Sequence, residues 1–279
     1  MTLLHGLFGG QLPRLVMFDL DGTLVDSVPD LAAAVDRMLV QLGRPAAGIE
    51  RVRDWVGNGA RVLVRRALAG DIEHAGVGEA ETEQALELFN QAYADCHSLS
   101  RVYPGVTASL KWLKKQGVEL ALITNKPERF VAPLLDEMKL GRYFRWIIGG
   151  DTLPQQKPDP AALLHVLRLA GIGAHEALFI GDSRNDVLAA QAAGVPCVAL
   201  SYGYNHGRPI AEEGPAAVLD DLRQLLPDGC FAADAKLMSA NPSAHPQPRD
   251  RTVVAPRKHW LSRANMKILK ALARWRWRA

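Results

Sequence analysis

Residues 14–18, 119–124, 145–149, 177–181, 196–200 and 216–219 are short runs, most of them apolar throughout rather than alternating. A strand with no polar face is covered on both faces, which is the condition of a strand in a parallel sheet. Amphipathic helical patterns at 106–116, 128–138, 159–170 and 186–193 separate these runs. Gly117, Gly171 and Gly194 directly follow three of those helices, where a left-handed cap is wanted. Strand, helix, strand in series predicts an α/β fold, a doubly wound Rossmann-like parallel sheet.

One interval breaks the rhythm. Between residues 29 and 100 there are only helical patterns, at 30–41, 60–69 and 80–96. An insert of that size after the first strand predicts an α-helical cap, with the core formed by 1–28 and 101–227. Residues 228–257 hold Pro242, Pro246, Pro248 and Pro256 among small polar residues, the composition of a linker. A chain of 279 residues, 48% hydrophobic and 23% charged, suffices for one such enzyme and excludes a collagen, a disordered chain or a disulfide mini-protein. Cys96, Cys197 and Cys230 form no CxxC pair, and MTLLHGLFGGQLPR lacks the basic lead and long apolar run of a secretory signal. Both features lead to the expectation of reduced thiols in a cytoplasmic protein.

Open α/β sheets bind ligands at the carboxyl ends of their strands, and four such ends carry chemistry. The first run leads into FDLDGTLVDS, where Asp19 and Asp21 are two apart and leave extended chain on the same side. Gly22 permits a sharp turn and Thr23 offers a hydroxyl. LITNK puts Thr124 and Asn125 at a second tip, where they also fit a helix cap. QKPDP places Lys157 between two strands, with Pro158 and Pro160 fixing the approach to the next helix. FIGDSRND places Asp182 at another tip and Asp186 four residues on. Each motif alone fits a solvated loop or a capped helix; four in order, at strand ends, call for a common role. Four converging carboxylates repel one another unless positive charge lies among them. Mg²⁺ suits all-oxygen ligands that also bridge to a phosphate. Lys157, Thr124 and backbone amides supply the charge and donors a phosphoryl group needs. One carboxylate can then attack phosphorus while its neighbour handles the proton.

These motifs, across residues 14–226, resemble the haloacid dehalogenase superfamily of aspartyl phosphatases. The resemblance implies that Asp19 is the nucleophile and Asp21 the general acid and base. It implies that Thr124, Asn125 and Lys157 bind the phosphoryl group. Mg²⁺ is then held by the Asp19 carboxylate, the Asp21 carbonyl and Asp182, with Asp186 a ligand or nearby. Dehalogenation is disfavoured, because dehalogenases of this superfamily lack the second acid that stands here as Asp21.

The substrate depends on the cap. In WVGNGARVLVRRAL, residues 55–68, Gly57, Asn58 and Gly59 form a turn that opens a helix with its first amides available to an anion. Arg61, Arg65 and Arg66 follow. This segment, with CHSLSRVYPGV at 96–106, resembles the bacterial phosphoglycolate phosphatases. That implies a small phosphomonoester substrate, 2-phosphoglycolate, with Arg66 as the match for the family's arginine and a candidate for the substrate carboxylate. Sugar-phosphate phosphatases, a pyrophosphatase and β-phosphoglucomutase share core and cap class and remain alternatives. A silent phosphatase-like scaffold is a further one.

The net charge of +3 hides an asymmetry. Nine of the 33 basic residues fall in 251–279 with no acid there, leaving 24 against 30 acids in 1–250. Residues 258–279 predict a basic amphipathic helix, with Leu261, Ile268, Leu269, Leu272 and Trp275 opposite Arg263, Lys267, Lys270, Arg274 and Arg278. Its apolar face can dock on the protein itself or a dimer mate. Its cations also suit an anionic membrane, nucleic acid or an acidic protein. Oligomeric state has no signature in the sequence.

Overall fold

The computed structural model describes residues 2–94 and 98–227. The expected linker and basic helix, Cys96 and Cys230 lie outside these residues.

In chain order, α1 (Leu3–Leu7), β1 (Leu15–Phe18) and β2 (Val25–Asp26) precede four helices, α2 (Val28–Gln41), α3 (Ile49–Trp55), α4 (Gly59–Ala69) and α5 (Glu79–Ala94). Next come β3 (Arg101–Val102), α6 (Val106–Lys115), β4 (Glu119–Ile123), α7 (Glu128–Glu137) and β5 (Trp146–Ile148). The remainder is α8 (Ala161–Ala170), β6 (Ala177–Gly181), α9 (Arg184–Ala193), β7 (Cys197–Leu200) and β8 (Ala217–Leu219). Six strands pair in parallel in the order β5-β4-β1-β6-β7-β8. The order reverses at β1, so the crevice beyond its carboxyl end is the natural ligand site of this sheet.

The alternation of side chains across the sheet sorts its residues into two cores. Val16, Phe18, Leu120, Leu122, Leu178 and Ile180 face α6 and α7, packing on Leu110, Leu113, Leu134 and Leu135. Leu15, Met17, Ala121, Ile123 and Phe179 face α8 and α9, packing on Leu163, Val166, Val187 and Ala190. Cys197 is a free thiol buried in this second core. Both faces are covered, which is why the strand sequences show no alternation. A third core holds α2 to α5 together through Val35, Met38, Trp55, Leu63, Val64, Phe89 and Tyr93. Phe130 and Tyr204, from the sheet side, join it and tie the helical insert to the catalytic edge.

Both passages between the insert and the sheet run through a two-stranded antiparallel ribbon, in which Val25 pairs with Val102 and Asp26 with Arg101. Neither this ribbon nor α3 shows a periodicity in the sequence from which it would be expected. No helix among the described residues is long and apolar enough to cross a membrane.

Candidate active site

β1 delivers Asp19, whose amide is anchored on the Ile180 carbonyl of β6 at 2.9 Å. The chain must then turn sharply. The Leu20 carbonyl accepts from the amides of Leu24 and Val25, at 2.9 and 3.0 Å, and Gly22 sits at φ +90°. A Cβ at Gly22 would fall 2.2 Å from Asp182 Oδ2, so glycine is required here for both conformation and space. The turn brings the Thr23 hydroxyl to donate to Asp182 Oδ1 at 2.5 Å, joining the first and last motifs.

Lys157 lies at the centre of the acids and is almost wholly buried. Its Nζ donates to Asp19 Oδ1 at 2.8 Å, to Asp186 Oδ1 at 2.6 Å and to the Ile123 carbonyl at 3.0 Å. Those three acceptors use the three donors of an ammonium. Burial alone would lower its pKa, but Asp186 and Asp19 more than offset this and hold the ammonium above its usual range. Asp186 is inaccessible to solvent. Its Oδ2 accepts from the Asp182 amide (3.1 Å), the Ser183 amide (3.0 Å) and the Ser183 hydroxyl (2.6 Å). This carboxylate thus caps α9 and anchors Lys157 at once.

Asp19, Asp182 and Asp186 each present a carboxylate oxygen within 4.8 Å of the others, a group that could hold a metal ion. Burial pushes the Asp19 carboxyl up to about 7, with Lys157 opposing and Asp186 reinforcing the shift. Burial, with Asp186 and Asp19 nearby, likewise raises Asp182 well above the usual carboxylate range. The cluster is therefore short of positive charge even with Lys157 present, and its all-oxygen donor set fits a hard divalent cation. Asp186 is the most heavily engaged of the three. Asp19 Oδ2 has no hydrogen-bond partner among the described residues and remains open.

Asp21 is held apart from this cradle. Ser27 Oγ donates to its Oδ1 at 2.5 Å, and Lys126 Nζ reaches its two oxygens at 3.1 and 3.2 Å. Lys126 is buried and lies 4.7 Å from the Tyr93 ring centre. Lys126 lies within LITNK, where the sequence alone gives it no role. Its only signal there is a cation directly after the Thr–Asn pair. Ser27, Ser183 and Tyr204, whose amide donates to Asp182 Oδ2 at 2.7 Å, were likewise not singled out.

Thr124 stands at the end of β4, its amide bound to the Ile148 carbonyl and its Oγ1 accepting from the Lys126 amide at 3.1 Å. The hydroxyl proton is left for the cavity. Asn125 departs from expectation. Its side chain is committed elsewhere, Oδ1 accepting from the Lys157 amide at 3.0 Å and Nδ2 donating to the Lys157 carbonyl at 2.9 Å and the Gly57 carbonyl at 3.1 Å. It clamps the lysine loop and reaches the cap. Only its backbone amide, which has no acceptor among the described residues, can meet an anion.

Above these groups lies a cavity of about 50 Å³, closed by Leu31, Val56, Gly57, Gly59, Ala60, Leu63, Phe89 and Phe130. At roughly 10–15 Å³ per water by this measure, the space is large enough to hold several waters. Gly57 and Gly59 line it, but the role of the turn differs from expectation. The Gly57 carbonyl accepts from Asn125 and Asn185, each at 3.1 Å, so the turn latches cap to core through an oxygen rather than offering amides there. Asn58 and Arg66 are not among the lining residues. Arg66 is buried inside the cap, its Nη1 donating to the Trp55 carbonyl at 2.7 Å, because α4 turns that face towards α3. Arg61 and Arg65 pair with Glu79 on α5, and Arg61 also with Glu83, at the cap surface.

The sequence matches the haloacid dehalogenase-like hydrolase model over residues 13–194. It is 69% identical over 279 residues to phosphoglycolate phosphatase 1 of Pseudomonas aeruginosa and 67% identical to a phosphoglycolate phosphatase of Pseudomonas syringae pv. tomato, covering all of both chains in each case. These alignments run through the basic C-terminal segment. Among solved structures, a predicted phosphoglycolate phosphatase from Haemophilus somnus 129pt superposes with a TM-score of 0.71 at 37% identity, over 80% of this chain and 97% of that one. With the doubly wound sheet and the acids at its carboxyl edge, these likenesses show that the chain belongs to the haloacid dehalogenase-like hydrolases.

Proposed function

We propose that this enzyme is a Mg²⁺-dependent phosphatase that hydrolyses 2-phosphoglycolate to glycolate and phosphate through a phosphoaspartate on Asp19. The observation that carries the reading is the pair of carboxylates two residues apart, Asp19 buried and Asp21 half-buried, each matched to its own buried lysine and both lining one cavity. Full-length identity to relatives named phosphoglycolate phosphatase supports the choice of substrate.

In the first half-reaction an Asp19 carboxylate oxygen attacks phosphorus, and the bond from phosphorus to the bridging oxygen breaks. Asp21 gives its proton to that oxygen, so glycolate leaves as an alcohol. In the second, the Asp21 carboxylate takes a proton from water, whose oxygen attacks phosphorus. The bond to Asp19 then breaks, releasing phosphate and restoring both acids. Thr124 Oγ1, the Asn125 amide and Lys157 hold phosphoryl oxygens. Lys157 balances charge as Asp19 changes from carboxylate to acyl phosphate. Asp19 and Asp182 would hold Mg²⁺ with the Asp21 carbonyl, and the ion would neutralise phosphoryl charge. Asp186 keeps Lys157 in place. The cap, latched at Gly57, excludes bulk water.

The test is kcat/KM on 2-phosphoglycolate beside hexose phosphates, pyrophosphate and nucleotides, with Mg²⁺ and with EDTA. A preference of about tenfold or more for 2-phosphoglycolate (~1.4 kcal/mol), lost in EDTA, is expected. A better substrate elsewhere in the panel overturns the substrate, and undiminished turnover in EDTA overturns the metal.

A further inference from the structure

Two cations line the cavity among the described residues, Lys157 and Lys126. Lys157 has committed its three donors to Asp19, Asp186 and the Ile123 carbonyl. Lys126 is placed differently. Its Nζ meets Tyr93 on one side and on the other spans both oxygens of a single carboxylate, Asp21, at 3.1 and 3.2 Å, the long end of the hydrogen-bonding range. A second anionic group in the cavity can take one of those two contacts and leave Asp21 the other. Lys157 stands at the Asp19 end of the cavity, where the phosphoryl group binds, so the other end of the substrate needs a cation of its own.

Position in the reaction points the same way. Asp19 and Lys157 mark the phosphoryl end. Asp21 marks the leaving-group end, because its proton goes to the bridging oxygen. In 2-phosphoglycolate one methylene separates that oxygen from the carboxylate carbon. A cation that meets the carboxylate must therefore stand beside Asp21, where Lys126 is. The wall of Leu31, Leu63 and Phe89 from the cap and Phe130 from α7 carries no charge, and a carboxylate buried there without a counter-charge is strongly disfavoured. Arg66 is turned away, onto the Trp55 carbonyl.

We propose that Lys126 receives the substrate's carboxylate and sets a preference for phosphoesters whose leaving group carries a negative charge. This rests on the 2-phosphoglycolate reading above.

The experiment compares 2-phosphoglycolate with 2-hydroxyethyl phosphate, which has nearly the same size and a neutral leaving group, on wild type, Lys126→Met and Lys126→Arg. Wild type prefers 2-phosphoglycolate. In Lys126→Met the ratio of the two kcat/KM values falls about tenfold or more, mainly through KM for 2-phosphoglycolate, and Lys126→Arg recovers part of it. Equal losses on both esters in Lys126→Met overturn the proposal, since Lys126 then serves Asp21 alone. If Lys126→Met does not fold, Lys126→Arg decides: a ratio identical to wild type despite the displaced charge overturns it, and a changed ratio supports it. A wild type indifferent to the two esters overturns the substrate reading itself, a result distinct from either.

Discussion

Replacing Asp186 by Asn tests the ionic cradle at its least accessible point. The carboxylate accepts Lys157 on Oδ1 and three donors from Asp182 and Ser183 on Oδ2. An amide has one oxygen, so it can satisfy either side but must turn an NH₂ group towards donors on the other. Removing one partner of a buried ion pair costs about 3–5 kcal/mol. Loss of the negative charge also relieves repulsion on Asp19 and Asp182, both raised in part by Asp186. That relief opposes the loss, and the lower end, about 3 kcal/mol, is the figure to test. The assay is urea unfolding in EDTA, where no ion contributes; the midpoint should fall with the slope unchanged. Turnover with saturating Mg²⁺ should fall about 100-fold, since Lys157 loses its anchor and a displacement near 1 Å has that effect. A variant with stability within about 0.5 kcal/mol of wild type, the range of a neutral surface change, would refute this picture of the cradle.

The raised carboxyls fix the sign of a pH effect. Asp19 titrates at about 7 when folded against 3.8 as the ordinary value, so the metal-free fold binds the extra proton and stability falls as pH rises. The contribution is complete below pH 3.8 and lost as pH passes through about 7; Asp182 shifts in the same direction. The stabilisation gained on adding Mg²⁺ should therefore grow from acid to neutral pH, read as the difference in melting temperature between Mg²⁺ and EDTA, and a pH-independent difference contradicts it. Asn185→Ala removes one hydrogen bond to Gly57 and should lower kcat/KM by about 1 kcal/mol, whereas Asn125→Ala also frees the Lys157 loop and should cost more. Equal effects would show that the clamp on Lys157 is dispensable. Gly22→Ala places a Cβ 2.2 Å from Asp182 Oδ2 at φ +90°; it should raise the Mg²⁺ concentration for half-maximal activity about tenfold or more, the cost of roughly 1–3 kcal/mol of local strain.

The sheet was legible because its strands are buried on both faces, and 177–181 appears as β6 with the expected ends. Helix ends shifted where caps decide them. Pro160 precedes α8, which begins at Ala161 rather than 159, and Ser183 precedes α9, which begins at Arg184 rather than 186. The ribbon at Val25–Asp26 and Arg101–Val102 offers two residues a side, too few for a periodicity. At the site, strand tips announced Asp19, Asp21, Thr124 and Asp182, since local sequence places them. Lys126 and the work of Asn125 depend on partners 105 and 68 residues away, Asp21 and Gly57, which no local pattern records. Arg66 misled for the same reason: an arginine on an amphipathic helix near a glycine turn looks accessible until α3 supplies the Trp55 carbonyl.

The central claim is that Asp19 carries the phosphoryl group. Asp21→Asn cannot activate water, but an aryl phosphate with a good leaving group needs no proton to leave. Mixing this variant with p-nitrophenyl phosphate and Mg²⁺ should release a rapid burst of one nitrophenolate per enzyme. Mass spectrometry of the acid-quenched protein should then find one phosphoryl group on the peptide containing Asp19. A phosphoryl group on another residue, or steady turnover with neither burst nor label, would contradict it.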